Sequence, residues 1–137
     1  MSADEAVIDT NVLIDAMVEE ARNHAQASKL VASLKKMFIP SIVLYETVWV
    51  LRKLDLAPGK VNTAIEAIVR NPKTSVVPDD GNFAVDAIRR VVAEEAELAN
   101  FDDKIVLATA LKLARPVATY DRELRRQASQ AGISILG

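Results

Sequence analysis

The sequence predicts an α/β fold, a short parallel sheet with helices on both faces, in a single domain over residues 1–137. Two observations carry that expectation. Short, apolar, β-branched runs alternate with longer segments of helical periodicity, and the connections between them are brief, as in strand–helix–strand units of parallel sheets. The strand runs are also apolar throughout instead of alternating, which two-sided burial demands. A chain of 137 residues fits one domain and can bury a core without covalent staples.

Taken in order, Ala6–Ile8 is the first strand and stops at Asp9. Residues 11–17 and 24–36 read as helices. Phe38–Pro40 is the second strand, after which Ser41 is placed to N-cap a helix running to about Leu54. Pro58 suits the first turn of the next helix, which ends near Asn71-Pro72. Ser75–Val77 is the third strand. Asp80-Gly81 opens a long helix to about Ala99, and Asp102 or Asp103 caps another to about Leu113. Residues 116–119 form a fourth strand, residues 121–131 a helix stopped by Gly132, and residues 133–136 the last strand.

Composition removes several classes of function. Half the residues are hydrophobic and 26% are charged, a soluble globular balance. Cysteine is absent, which excludes disulfides and thiolate metal sites and points to the cytoplasm. The single histidine, His24, excludes multi-histidine metal sites and argues against a Ser-His-Asp hydrolase; it reads as an ordinary surface residue. The acidic start Met1-Ser2-Ala3-Asp4-Glu5 lacks the basic opening and apolar run of a signal peptide. No uninterrupted apolar stretch approaches the roughly 18 residues of a membrane span. A net charge of −2 is not that of a broadly basic nucleic-acid binder, so positive charge for such a partner must be local.

Sites in open parallel sheets form outside the carboxyl ends of the strands. Asp9 directly follows the first strand, Asp121 follows the fourth by one residue, and Asp103 opens a helix at the same edge. Each of these alone is equally explained as a helix N-cap. Glu46 is not: it lies inside the apolar segment Ile42–Leu51, too far from the helix start to cap it, in a helix expected to be buried around most of its circumference. An ionised carboxylate there is costly unless it meets a base such as Arg52 or a cation. Several carboxylates converging on one edge stay ionised together only when a divalent cation neutralises them. Hard oxygen donors without histidine or cysteine select Mg²⁺ or Mn²⁺. The residues alone therefore lead to metal-dependent phosphoryl or phosphodiester chemistry, and not as far as RNA.

Four segments resemble the PIN-domain family in order and spacing: Val7–Asp15, Pro40–Glu46, Asp103–Ala110 and Thr119-Tyr120-Asp121. The resemblance spans nearly the whole chain and is greatest to the VapC-type toxins of toxin–antitoxin pairs. It implies a three-layer PIN-like fold and a Mg²⁺- or Mn²⁺-dependent endoribonuclease. Asp9, Glu46 and Asp103 match the family's metal-binding acids, Asp121 the more variable fourth, and Thr10, Asn11 and Thr119 the polar positions beside them. Asp102 adjoins Asp103 and leaves the third ligand open between the two, and Leu124 stands where many relatives carry an aromatic residue. The resemblance also implies an RNA substrate, a homodimer and a small inhibiting antitoxin protein. The apolar helices 41–54 and 57–70 are candidate surfaces for such partners.

Lys104, Arg52, Lys53, Arg122 and Arg125 are candidate contacts to RNA phosphates. Tyr45, Trp49 and Tyr120 are candidates to stack bases, with core or interface packing the commoner role for the first two. Competing readings are an RNA-processing nuclease that is no toxin, an α/β phosphatase and a non-catalytic interaction module. A dehalogenase-type phosphatase wants a second acid after the first strand, where Asp9-Thr10-Asn11 has none, and a receiver domain wants adjacent acids there.

Overall fold

The computed structural model describes residues 4–137; Met1-Ser2-Ala3, part of the acidic start read above, lies outside the described residues. The chain runs β1 (Glu5–Ile8), α1 (Thr10–Met17), α2 (His24–Ser33), β2 (Lys36–Pro40), α3 (Ser41–Lys53), α4 (Pro58–Arg70), β3 (Thr74–Val77), α5 (Gly81–Ala93), a 3₁₀ turn (Leu98–Asn100), α6 (Phe101–Leu113), β4 (Val117–Ala118), α7 (Arg122–Gln130) and β5 (Ile135–Leu136). The five strands are parallel in the order β3-β2-β1-β4-β5. No helix among the described residues is long and apolar enough to cross a membrane.

β1 lies at the centre because it is buried on both faces: Ala6, Val7 and Ile8 have no solvent exposure. Val7 sits opposite Phe38 on one side and Val117 on the other. The chain first moves outward from β1 through β2 to β3, then returns across the sheet to β4 on the opposite side of β1. Right-handed crossovers put the helices of the two halves on opposite faces. The order therefore reverses between β1 and β4, and a crevice opens beyond their carboxyl ends. Val12, Val43, Val106, Leu107 and Leu124 fill the core between sheet and helices.

Several helix boundaries depart from expectation for identifiable reasons. The helix expected over residues 24–36 ends at Ser33, since Leu34 turns into the core and Lys36 already pairs with Glu5 in the sheet. Ser41 is not an N-cap but the first helical residue of α3; the cap comes from Asp79, whose Oδ2 accepts the Ile42 N–H at 2.8 Å. Neither Asp102 nor Asp103 caps α6, which begins at Phe101 and holds both acids in its first turn. The long helix expected to reach Ala99 stops at Ala93. There Glu95 takes a left-handed conformation (φ 52°), and the Ala96 and Glu95 N–H groups close back on Val91 and Val92. α3 is not buried around most of its circumference. Val43, Thr47 and Leu51 are buried and Ile42 and Leu44 are partly buried against the core, while Tyr45 and Trp49 are 56% and 53% exposed.

Ala114 ends α6 in the same left-handed conformation, at φ 52° and ψ 49°, on an exposed position. A Cβ there costs about 1 kcal/mol that glycine escapes. Ala114→Gly is expected to raise the melting temperature by about 2–4 °C. A lower melting temperature in a thermal scan would refute this account of the helix end.

Candidate active site

The crevice between β1 and β4 is built from short-range sequence logic. Asp9 leaves β1 and caps α1, its Oδ1 accepting the Thr10 N–H at 2.8 Å. Its Oδ2 accepts from Thr119 Oγ1 at 2.7 Å and from Asn11 Nδ2 at 3.0 Å. Asn11 turns its Oδ1 to the Tyr120 N–H at 2.9 Å, and Thr119 Oγ1 accepts the Asp121 N–H at 3.1 Å. These contacts stitch the end of β1 to the end of β4. Asp121 in turn caps α7 through the Glu123 N–H. Capping and site building are thus the same act for Asp9 and Asp121.

Thr10 donates from Oγ1 to Glu46 Oε1 at 2.9 Å, which draws α3 to the crevice. A pocket of about 350 Å³ results, lined by Asp9, Thr10, Asn11, Ile14, Asp15, Glu46, Val50, Asp103 and Asp121. All four acids singled out in the sequence therefore meet in one place. Asp15, one turn beyond Asn11 on α1, joins them and was missed; its signal was an acid four residues after Asn11, on the same face of the helix. Asp103 lines the pocket, whereas Asp102 reaches it through hydrogen bonding with Glu46.

The crowding changes the chemistry of the acids. Burial, then hydrogen bonding and charge from Asp102, push Glu46 up to about 8. Burial and the facing Asp121 likewise push Asp103 up to about 8. Asp9, almost wholly buried, is also raised by desolvation, against the lowering pull of its bonds from Thr119 and Thr10. The metal-free pocket therefore holds protons that ordinary carboxyl groups lose.

The donor set suits a hard divalent cation: carboxylate oxygens only, in like-charged pairs that hold protons when nothing else compensates them. Among the described residues, no three acidic side chains as placed form a ready chelate. That spread is compatible with Mg²⁺, which keeps several waters and takes one or two carboxylates directly.

The basic candidates divide differently from expectation. Lys104 is 1% exposed and paired with Glu94, so it has no route to a phosphate. Arg125 is drawn inward, its Nη1 donating to Thr119 O at 2.9 Å and Gly137 O at 3.2 Å, which makes it a clasp on the β4–β5 edge. Arg52 and Lys53 are exposed, but Arg52 lines a separate apolar groove with Val48, Leu56, Pro58, Val61 and Ile65. Arg122 is exposed next to Asp121. Tyr120 packs against the core instead of offering a stacking face. His24 bonds the Asp15 carbonyl oxygen at 2.8 Å, holding α2 to α1, and does not line the pocket.

No curated protein matches the chain. Solved structures resemble it over almost its whole length. VapC20 of Mycobacterium tuberculosis, described as a sarcin-ricin loop cleaving toxin, is 21% identical, with 93% of this chain and 95% of that one covered and a TM-score of 0.78. A toxin–antitoxin complex from Klebsiella pneumoniae is 21% identical, with 96% of each chain covered and a TM-score of 0.64. VapBC2 of Rickettsia felis, bound to a DNA fragment from its promoter, is 12% identical, with 96% and 97% covered and a TM-score of 0.67. A family model described as the PIN domain matches residues 6–130, taking in the whole acidic crevice and the sheet that supports it; the chain belongs to the PIN-domain family.

Proposed function

We propose that this chain is a Mg²⁺- or Mn²⁺-dependent endoribonuclease, one domain over residues 1–137, acting as the toxin of a toxin–antitoxin pair. The observation that carries the chemistry is the convergence of Asp9, Glu46, Asp103 and Asp121 on one pocket at the β1–β4 switch, held by Thr10, Asn11 and Thr119. The toxin role is supported by the fold shared with toxins and toxin–antitoxin complexes.

Asp9, Glu46, Asp103 and Asp121 are the residues that would hold the cation. When bound, it supplies charge stabilisation and an activated water for in-line attack on a phosphodiester. The protein's own groups do the positioning. Thr119 and Asn11 fix both the distance and the orientation of the Asp9 carboxylate. Thr10 fixes that of Glu46. Asp102 facing Glu46, and Asp121 facing Asp103, raise the affinity of the empty site for protons, so cation binding releases protons. Arg122, Arg52 and Lys53 are the exposed cations left to meet RNA phosphates.

The test is cleavage of RNA with Mg²⁺ or Mn²⁺, with and without chelator, by the wild type, Asp9→Asn and Glu46→Gln. The expected result is chelator-sensitive cleavage that both substitutions reduce by about a hundredfold or more. Equal cleavage by the three proteins would remove the site.

A homodimer and a small antitoxin belong to the same proposal, with a cytoplasmic setting. Their support is the apolar surface left open on α3 and α4, including Tyr45, Val48 and Trp49. Light scattering on the purified chain is expected to give twice the monomer mass. A monomer at micromolar concentration would contradict the dimer.

A further inference from the structure

Thr119 is wholly buried, and its hydroxyl has three partners. It donates to Asp9 Oδ2 at 2.7 Å, and it accepts from Asn11 Nδ2 at 3.2 Å and from the Asp121 N–H at 3.1 Å. That uses the one proton and both lone pairs a hydroxyl has. With its side chain so committed, the position of the Thr119 backbone decides how Asp9 is aimed and where Asp121 begins.

The strand alone does not fix that backbone. β4 is two residues long and ends at Ala118, whose partner in β5 is Leu136. The Thr119 N–H still reaches Leu136 O at 3.1 Å. The Thr119 carbonyl lies beyond the last paired residues, and Arg125 satisfies it: Nη1 donates to Thr119 O at 2.9 Å and to Gly137 O at 3.2 Å. One terminal nitrogen thus bridges the two strand ends where the ladder stops. Arg125 is half-buried and springs from a firm base. Its N–H donates to Asp121 O at 3.0 Å in the first turn of α7, and its neighbour Leu124 is wholly buried in the core.

We propose that Arg125 is a positioning residue of the cation site: by holding the Thr119 carbonyl to the end of β5, it fixes the hydroxyl that aims Asp9 and ties down the start of Asp121. This rests on the metal-site reading above. Arg125 touches neither cation nor RNA. Both steps from it to Asp9 are hydrogen bonds, Arg125 to Thr119 and Thr119 to Asp9. The residue type follows from the task. Joining carbonyls of two different strands from a neighbouring helix needs a long side chain whose donors are set in a rigid plane, which guanidinium offers and ammonium does not.

The test uses Arg125→Met and Arg125→Lys, with the methionine variant also combined with Thr119→Val. Mn²⁺ affinity of the metal-free proteins is measured by calorimetry, together with melting temperature in chelator and with kcat and KM on an unstructured oligoribonucleotide over a range of salt. Arg125→Met is expected to bind Mn²⁺ about tenfold more weakly and to lower kcat about 10–100-fold at saturating metal. KM and its salt dependence are expected to stay at their wild-type values, because no phosphate contact is lost. Arg125→Lys keeps the charge but not the fork; it is expected to weaken Mn²⁺ binding in the same direction, and is decisive if the methionine variant does not fold. Thr119→Val removes the hydroxyl through which Arg125 acts, so adding Arg125→Met to it is expected to weaken Mn²⁺ binding by no more than about a further twofold. Mn²⁺ affinity equal to wild type in the folded variants would overturn the proposal, and a raised, less salt-dependent KM beside it would return Arg125 to the RNA phosphates. Full additivity of the two substitutions would also overturn it, while leaving the metal site standing. A wild type that binds no Mn²⁺ would overturn the site itself, and this role with it.

Discussion

Asp103→Asn is expected to lower kcat/KM for RNA cleavage by about a thousandfold or more, and Asp102→Asn by only about ten- to a hundredfold. The two residues are neighbours in the first turn of α6; the sequence pattern after Asp103 favours it and leaves Asp102 open. Their surroundings are not equivalent. Asp103 lines the pocket with Asp9, Glu46 and Asp121, and is crowded by Asp121 and Asp9. Asp102 is absent from the lining and acts on Glu46. Loss of a carboxylate that neutralises a catalytic cation removes several kcal/mol of transition-state stabilisation, and about 4 kcal/mol is a thousandfold. Loss of a partner that only orients a ligand costs one to two orders of magnitude. Steady-state kinetics at saturating Mn²⁺ on both variants decides the matter. The reverse ranking would move the third ligand to Asp102.

What the sequence could and could not show follows the range of the interactions involved. The parallel sheet was legible because apolar runs such as Ala6–Ile8 report two-sided burial directly. The acids were legible because Asp9 and Asp121 leave strands, and Glu46 is polar in an apolar helix. The end of α5 was not legible, because Glu95 closes it in a left-handed backbone that only the surrounding contacts impose; the end of α6 at Leu113 was, although Ala114 turns left-handed there without glycine. The cap on α3 was misassigned because it comes from Asp79, 37 residues away, instead of Ser41. Lys104 looked like a phosphate contact because a lysine at a helix start is usually solvated. Its partner Glu94 is ten residues earlier, beyond a turn whose geometry no local pattern announces.

The metal-free protein is expected to lose stability as pH rises from about 4.5 to about 8, and divalent cation is expected to restore it. Glu46 and Asp103 are both raised to about 8 in the folded chain, while the unfolded chain releases these protons near the ordinary carboxyl value. Below that value both states hold the protons and the full stability is present. Between it and about 8 the folded state holds protons that the unfolded state has shed, so each step upward in pH favours unfolding. Asp9, raised in the same direction, adds to the slope. Glu123 is lowered to about 2, first by its bonds from Arg126 and Gln127, and so acts only on the acid side of this window. Glu46 and Asp103 both keep contact with solvent, and screening reduces the total to on the order of 2 kcal/mol, or about 4–8 °C in melting temperature. Mg²⁺ competes with these protons, so its stabilising effect should grow with pH, adding about 2.7 kcal/mol when the free ion is at a hundred times its Kd. Thermal scans in chelator and in Mg²⁺ at several pH values measure both effects. Glu46→Gln removes one of the three raised acids and should flatten the slope in chelator. A metal-free melting temperature that holds constant or climbs across this range would mean that the acids do not crowd one another, and the cation site would lose its physical basis.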